Sequence, residues 1–213
     1  MSKPIRHLIA IVAATAAAVS VGSLPADAAA RTEPSVSFFQ GAEGKAHWSV
    51  EQSNGDDKHS MKLEVPYFDL ATEPVNFAGI DLHHEEGRTA PEEAPSFDFY
   101  SSDTGPSLGS PRLVIRFSNG GRAELRPLAW VQDTWTTVDG DGPNWDINGG
   151  TCGFRFAATY AEVLACHAGA TVTSAFVVSD SGYAYPPEGY VHYIDNLQYD
   201  DTTISRPGDN GRS

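Results

Sequence analysis

The chain has 213 residues, with 14 Lys and Arg against 28 Asp and Glu, for a formal net charge of −14. That acidic balance excludes a phosphate-backbone partner, which needs clustered cations. Beyond the first 30 residues no run reaches the ~18 consecutive apolar positions of a membrane helix.

The N-terminus carries Lys3, Arg6 and His7, then an apolar, alanine-rich stretch from Leu8 to Leu24, then Ala26-Asp27-Ala28. This is the layout of a secretory signal peptide with a small-x-small cleavage site. Cleavage after Ala28 would leave 185 residues of net charge −15, since Lys3, Arg6 and Asp27 go with the leader. The expected organisation is a signal peptide over 1–28, a flexible start over 29–34, one domain over 35–201 and a flexible tail over 202–213. An exported, acidic, soluble monomer is expected, with no nucleic-acid partner and no membrane insertion of the mature chain.

From residue 35 onward, short segments of alternating apolar and polar residues are separated by glycine and proline clusters. Ser35–Phe39, Ala46–Val50, Met61–Val65, Val75–Leu82 and Ser96–Tyr100 read as strands. The spacing is that of a β-sandwich or barrel.

Two clusters along this stretch hold groups capable of chemistry. His83-His84-Glu85-Glu86 concentrates ligand types at a strand end, but adjacent residues there point to opposite faces. A solvated acidic loop accounts for it as well. Gly105-Pro106-Ser107-Leu108-Gly109 fits G-x-S-x-G, whose mechanism needs a strand-turn-helix elbow. Here it lies in the loop SSDTGPSLGSP, with another proline at Pro111 and a hairpin strand next, and reads as an inter-strand loop. No P-loop or dinucleotide fingerprint is present. With 27 acids in the mature chain, no pair is singled out as a glycosidase couple.

Pro111 to Trp130 reads as a hairpin. A three-residue loop of Asn119-Gly120-Gly121, with a glycine in the left-handed conformation, would pair Phe117 with Ala123 and Ile115 with Leu125. It would set Arg116 opposite Glu124. Further strands are expected at Trp135–Val138, Thr171–Val178 and Tyr190–Tyr199. Trp48, Trp130 and Trp135 lie in strand-like stretches and are expected in the core.

The loop Asp139-Gly-Asp141-Gly-Pro-Asn144-Trp145-Asp146-Ile-Asn148-Gly149 is rich in oxygen donors. Calcium favours such loops, and Asx residues also fill turns through local hydrogen bonds. Position twelve counted from Asn144 is Arg155, and no flanking helix pair is evident, so this is not an EF-hand. Trp145 offers an indole that could stack on a sugar ring beside Asp141 and Asn144, or anchor the loop beneath the sandwich. Tyr183 and Tyr185 make a second aromatic loop. One helix is expected, at about 157–166, with Tyr160, Val163 and Leu164 facing the core. Cys152 and Cys166 are the only cysteines. In an exported chain they are expected to form a disulfide, contributing roughly 3 kcal/mol.

In "YVHYIDNLQYDD", residues 190–201, Asp195-Asn196 interrupts a strand. Simple alternation puts Tyr193, Asp195, Leu197 and Tyr199 on one face. A buried carboxylate there requires a bulge, a hydrogen-bonding partner or a cation.

The segments "KHSMKLEVP", "SPRLVIRFSNGGRAELRPLAW", "NWDINGGTCGF", "TYAEVLACHAGATVTSAFVVSDSGY" and "YVHYIDNLQYDDTTIS" together resemble exported bacterial jelly-roll domains of the galactose-binding-like and carbohydrate-binding-module type. The resemblance implies an all-β jelly-roll sandwich with one short helix. It implies a closing strand beside the first strands, and a structural calcium near it. Carried over, Asp195 is the expected ligand, with Glu43, Asp56 or Asp57 as partners. The expected function is non-catalytic binding of carbohydrate or cell-wall polysaccharide, with Trp145, Asp141, Asn144, Tyr183 and Tyr185 as ligand-binding residues. The alternatives are a glycoside hydrolase or polysaccharide lyase on the same fold, and an envelope protein without a ligand.

Overall fold

The computed structural model describes residues 35–55, 58–66, 76–83, 85–102, 110–180 and 189–207. The early strands follow the alternation of their apolar residues. They are β1 (Ser35–Gly41), β2 (Lys45–Ser49), β3 (Ser60–Val65), β4 (Phe77–His83) and β5 (Ser96–Ser101). Then come β6 (Arg112–Phe117), β7 (Arg122–Leu125), β8 (Thr136–Val138), β9 (Trp145–Gly149) and β10 (Gly153–Ala158). The helix α1 (Tyr160–Cys166) precedes β11 (Val172–Asp180), β12 (Tyr190–Tyr199) and β13 (Thr202–Ile204). No helix among the described residues is long and apolar enough to cross a membrane.

Two antiparallel sheets enclose the core. One runs β1-β4-β11-β6-β7-β9-β10 and the other β2-β3-β12-β5-β8, with β13 on β12. The chain passes between sheets so that β12 inserts between β3 and β5 while β11 inserts between β4 and β6. That interleaving is the double Greek key of a jelly roll. Met61, Leu63, Ile80, Leu82, Leu113, Ile115, Leu125 and Val177 are fully buried between the sheets. Each such side chain contributes about 1.5–3 kcal/mol.

The hairpin forms with a three-residue loop, displaced from the expected register. Val114 stands opposite Glu124 and Arg116 opposite Arg122. The loop is Ser118-Asn119-Gly120, closed by the Phe117 N–H donating to Gly121 O at 2.9 Å. Gly120 supplies the left-handed residue, at φ 79°. The displacement is two residues, so every side chain keeps its expected face.

Residues 157 and 158 belong to β10, not to the helix. Thr159 ends the strand and caps α1, its hydroxyl accepting from Glu162 N while the Glu162 carboxylate accepts from Thr159 N. This capping box sets where the helix begins. Tyr160 and Val163 are buried as expected, and Leu164 packs partly against the core. Cys152 and Cys166 are disulfide-bonded, with Cα atoms 5.3 Å apart, which ties the turn between β9 and β10 to the end of the helix. The expected tail from residue 202 begins instead with β13, whose Ile204 is fully buried.

Candidate functional site

On a jelly-roll strand, residues that do not face the core face solvent. On β1, β4 and β11 several of these outward positions are aromatic or aliphatic. Phe39, Phe77, Phe176 and Val178 all lie on the outer face of the seven-stranded sheet. Register fixes this: Phe176 stands opposite Asp81 of β4 and Val114 of β6, between core-facing Ala175 and Val177. Phe39 packs against Phe77 and edge to face on Phe176, with centroids 6.0 and 5.8 Å apart.

These rings line a groove of about 510 Å³, together with Ser37, Asp81, Arg112, Arg116, Arg122 and Glu124. Its polar groups are held by one another. Arg112 forks onto Asp180, with contacts of 3.1 and 2.5 Å, and its Nε lies 3.5 Å from Glu124. Burial works against the charge of Arg112, and the hydrogen-bonded Asp180 carboxylate outweighs it, raising the guanidinium's pKa. Arg122 pairs with the other oxygen of Glu124 at 3.0 Å. Arg116 makes no ion pair with a described residue. Its guanidinium lies over the Phe176 ring at 5.3 Å, a cation–π geometry.

Glycine opens the floor of this face. Gly79 on β4 leaves room for the Phe39 ring, which a Cβ there would strike. Gly41 does the same for Phe77. These two glycines let the aromatic rings lie against the sheet.

The expected ligand-binding residues lie elsewhere. Trp145 begins β9 facing inward and is 0% exposed. Its indole N–H donates to Gly140 O at 2.7 Å, and its ring lies 5.2 Å from Tyr160. The indole therefore anchors the loop from below and has no face open to a sugar. Asp141 and Asn144 are used in the turn: the Asp141 N–H donates to the Asp139 carboxylate at 2.9 Å, and the Asn144 amide donates to Asp139 O at 2.7 Å. Asp141 also lines a hollow of about 630 Å³ with Glu92, Glu93 and Asp139. Tyr183 and Tyr185 lie outside the described residues, as do His84 and the Gly105–Gly109 segment.

Trp48 and Trp130 pack against the core. Trp135 does not. Its ring lies tilted against Tyr100 at 5.7 Å, and Tyr100 meets Tyr193, on the outer face of the six-stranded sheet. A strand-like context gave no sign of which face it takes.

Asp195 is 0% exposed. The ladder between β12 and β5 shifts register between Asp195 and Gln198, and Asn196 takes a left-handed φ of 46°. Before this bulge Tyr190, His192 and Ile194 face the core; after it Leu197 and Tyr199 do. Asp195 thus shares the outer face with Tyr193, not the core face with Leu197. Its carboxylate accepts the N–H groups of Asn54 and Asn196, both at 2.7 Å. Of the expected calcium partners, Asp56 and Asp57 lie outside the described residues. Glu43 precedes β2 at the end where Lys45 pairs with Glu64, whereas Asp195 follows Ile194, which pairs with Met61. The length of β3 separates the two carboxylates, so they cannot hold one ion. Among the described residues no three His, Cys, Asp or Glu side chains come together as metal ligands.

Sequence reading missed Phe39, Phe77, Phe176 and Arg116. The usable signal was apolar character in both phases of one strand, as in Ala-Phe-Val-Val at 175–178. A strand with one solvated face alternates, so an aromatic in the outward phase marks a second, non-core surface.

Fold and groove together define an all-β jelly-roll sandwich with an aromatic and ion-paired recess on one outer face. No protein-family model and no curated protein matches the sequence. Among solved structures the chain is similar to the family 11 carbohydrate-binding module of the cellulosomal cellulase Lic26A-Cel5E of Clostridium thermocellum. That likeness has 11% identity and a TM-score of 0.39, over 81% of this chain and 90% of the other. A solution structure of CtCBM11 is similar at 13% identity and a TM-score of 0.40, over 84% and 99% of the two chains.

Proposed function

We propose that this protein is an exported, non-catalytic carbohydrate-binding domain whose ligand lies in the groove on the seven-stranded sheet. The observation that carries the reading is the set of rings Phe39, Phe77 and Phe176 beside Arg112, Arg116, Asp81 and Asp180. Sugars present flat C–H faces and equatorial hydroxyls, so a binding site needs an apolar platform and fixed polar forks together. Pre-paired groups such as Arg112 and Asp180 cost little further ordering when a ligand arrives.

An enzyme on this face is the weaker reading. A glycosidase needs one carboxyl kept protonated as general acid. Asp180 and Glu124 are instead both engaged in ion pairs with Arg112.

The test is native affinity electrophoresis through gels containing soluble cellulose derivatives, mixed-linkage β-glucan, xylan, galactomannan or laminarin. Retardation by at least one polysaccharide is expected, weakened about tenfold by Phe176→Ala, equivalent to about 1.4 kcal/mol. No retardation across the set sinks the proposal, and release of reducing ends would favour the enzyme.

A further inference from the structure

The edge strand β10 carries two rings that the core does not use. Phe154 and Phe156 are 59% and 65% exposed, and they meet edge to face at 4.5 Å. The other exposed large hydrophobics among the described residues, Val50, Leu128 and Val131, are single aliphatics. The two phenylalanines are spaced i, i+2 and so lie on one face of the strand.

Register identifies that face. Phe154 stands opposite Asn148 of β9, which stands opposite Arg122 of β7. Arg122 stands opposite Arg116 of β6, and Arg116 opposite Ser174 of β11. Directly opposed residues project to the same side of a sheet. A row thus runs across the outer face from Ser174, two residues from Phe176, through Arg116, Arg122 and Asn148 to Phe154. Arg126 extends the continuity: its guanidinium lies 5.9 Å from the Phe156 ring centroid and pairs with Asp146 of β9 at 2.9 Å.

We propose that Phe154 and Phe156 form an outlying aromatic subsite for the ligand of the groove, which is therefore an extended polysaccharide chain lying across the strands. This inference rests on the carbohydrate reading of the groove. From β11 to β10 is four strand spacings, about 19 Å at about 4.8 Å each, farther than a disaccharide reaches. The arrangement suits a glycan better than a protein partner. A protein interface has an apolar centre and a polar rim. Here apolar rings stand at the two ends, and arginine and asparagine donors fill the middle, where successive hydroxyls would lie.

The test compares wild type, Phe176→Ala and the double variant Phe154→Ser/Phe156→Ser in the same affinity gels. Calorimetric titration then uses cellobiose, cellohexaose, xylobiose and xylohexaose. Both rings of β10 are solvent-facing, so the double variant is expected to melt like wild type. Expected is an approximately tenfold loss of affinity for the hexasaccharide and the polymer, with disaccharide binding unchanged. If the double variant binds long and short ligands as wild type does while Phe176→Ala does not, the outlying subsite is wrong and the groove stands. If wild type binds no glycan, both readings fall. If the double substitution instead converts a dimer to a monomer in light scattering, without effect on glycan binding, β10 is a contact between copies and the proposal is overturned.

Discussion

Asp195 of β12 and Asp98 of β5 stand opposite each other as register partners. Two carboxylates side by side, 0% and 8% exposed, would repel unless donors intervene. Asn196 and Asn54 intervene. The Asn196 amide donates to Asp98 Oδ2 at 2.8 Å and to Asn54 O at 3.0 Å. The Asn54 side chain donates to the same Asp98 oxygen at 2.8 Å, and the Thr137 hydroxyl donates to Asp98 Oδ1 at 2.6 Å.

Removing the Asn196 amide leaves Asp98 short of a donor and Asn54 O without that partner. Asn196→Ala is therefore expected to cost about 2–4 kcal/mol. Asn196→Gly removes the same amide but relaxes the left-handed backbone, and should cost less. Urea titration measures both; equal stability of wild type and Asn196→Ala would refute the network's role.

His192 sits fully buried between Phe99 and Tyr190, with Ser179 Oγ 2.8 Å from its Nδ1. Burial pushes its pKa down from 6.5 to about 4. The unfolded chain then binds more protons than the folded one between those values, so stability falls as pH drops from about 6.5 towards 4. The full loss from this group is about 3 kcal/mol. His167, also lowered by burial, adds in the same direction. His192→Gln should flatten the melting temperature against pH in this window; an unchanged slope would exonerate His192.

Gly140 holds Trp145 in place through its carbonyl. A Cβ at Gly140 would strike the Pro95 carbonyl oxygen and lie 3.2 Å from Ala94 Cβ. Gly140→Ala is expected to cost about 1–3 kcal/mol and to shift tryptophan emission to the red as the loop lifts. Unshifted emission with unchanged stability would count against this account.

The disulfide joins residues 14 apart in sequence. A Cys152→Ser/Cys166→Ser protein should lose about 3 kcal/mol. It should still fold, because β9 and α1 remain joined by Trp145 and Tyr160. Thermal melting of reduced and oxidised protein checks the first claim and far-ultraviolet circular dichroism the second.

Most strands were legible because their apolar residues alternate, and the helix because its alanine-rich run lacks Gly and Pro until Gly169; its start, set by the Thr159–Glu162 capping box, was placed two to three residues early. β9 and β10 were not legible. Trp145-Asp-Ile-Asn-Gly reads as a turn-rich loop by its Asx and Gly content, although Trp145 and Ile147 alternate inward. In β10 the alternation is inverted, since Phe154 and Phe156 face solvent. Asp195 looked core-facing because alternation was extended through a bulge that only the pairing of β12 with β5 reveals. The groove was hidden for a related reason. Its residues come from β1, β4, β11, β6 and β7, which the topology brings together and the chain order does not.

The bulge at Asn196 also divides ownership of one strand. Ahead of it β12 pairs with β3, and beyond it with β13. The last described strand thus finishes an edge that β3 is too short to cover. Without Thr202–Ile204 the backbone of Leu197–Tyr199 would stand open along that side. An uncapped row of amides and carbonyls over apolar side chains is a template for another chain to add itself. The short C-terminal strand therefore acts as a guard against self-association as well as a contributor to the core.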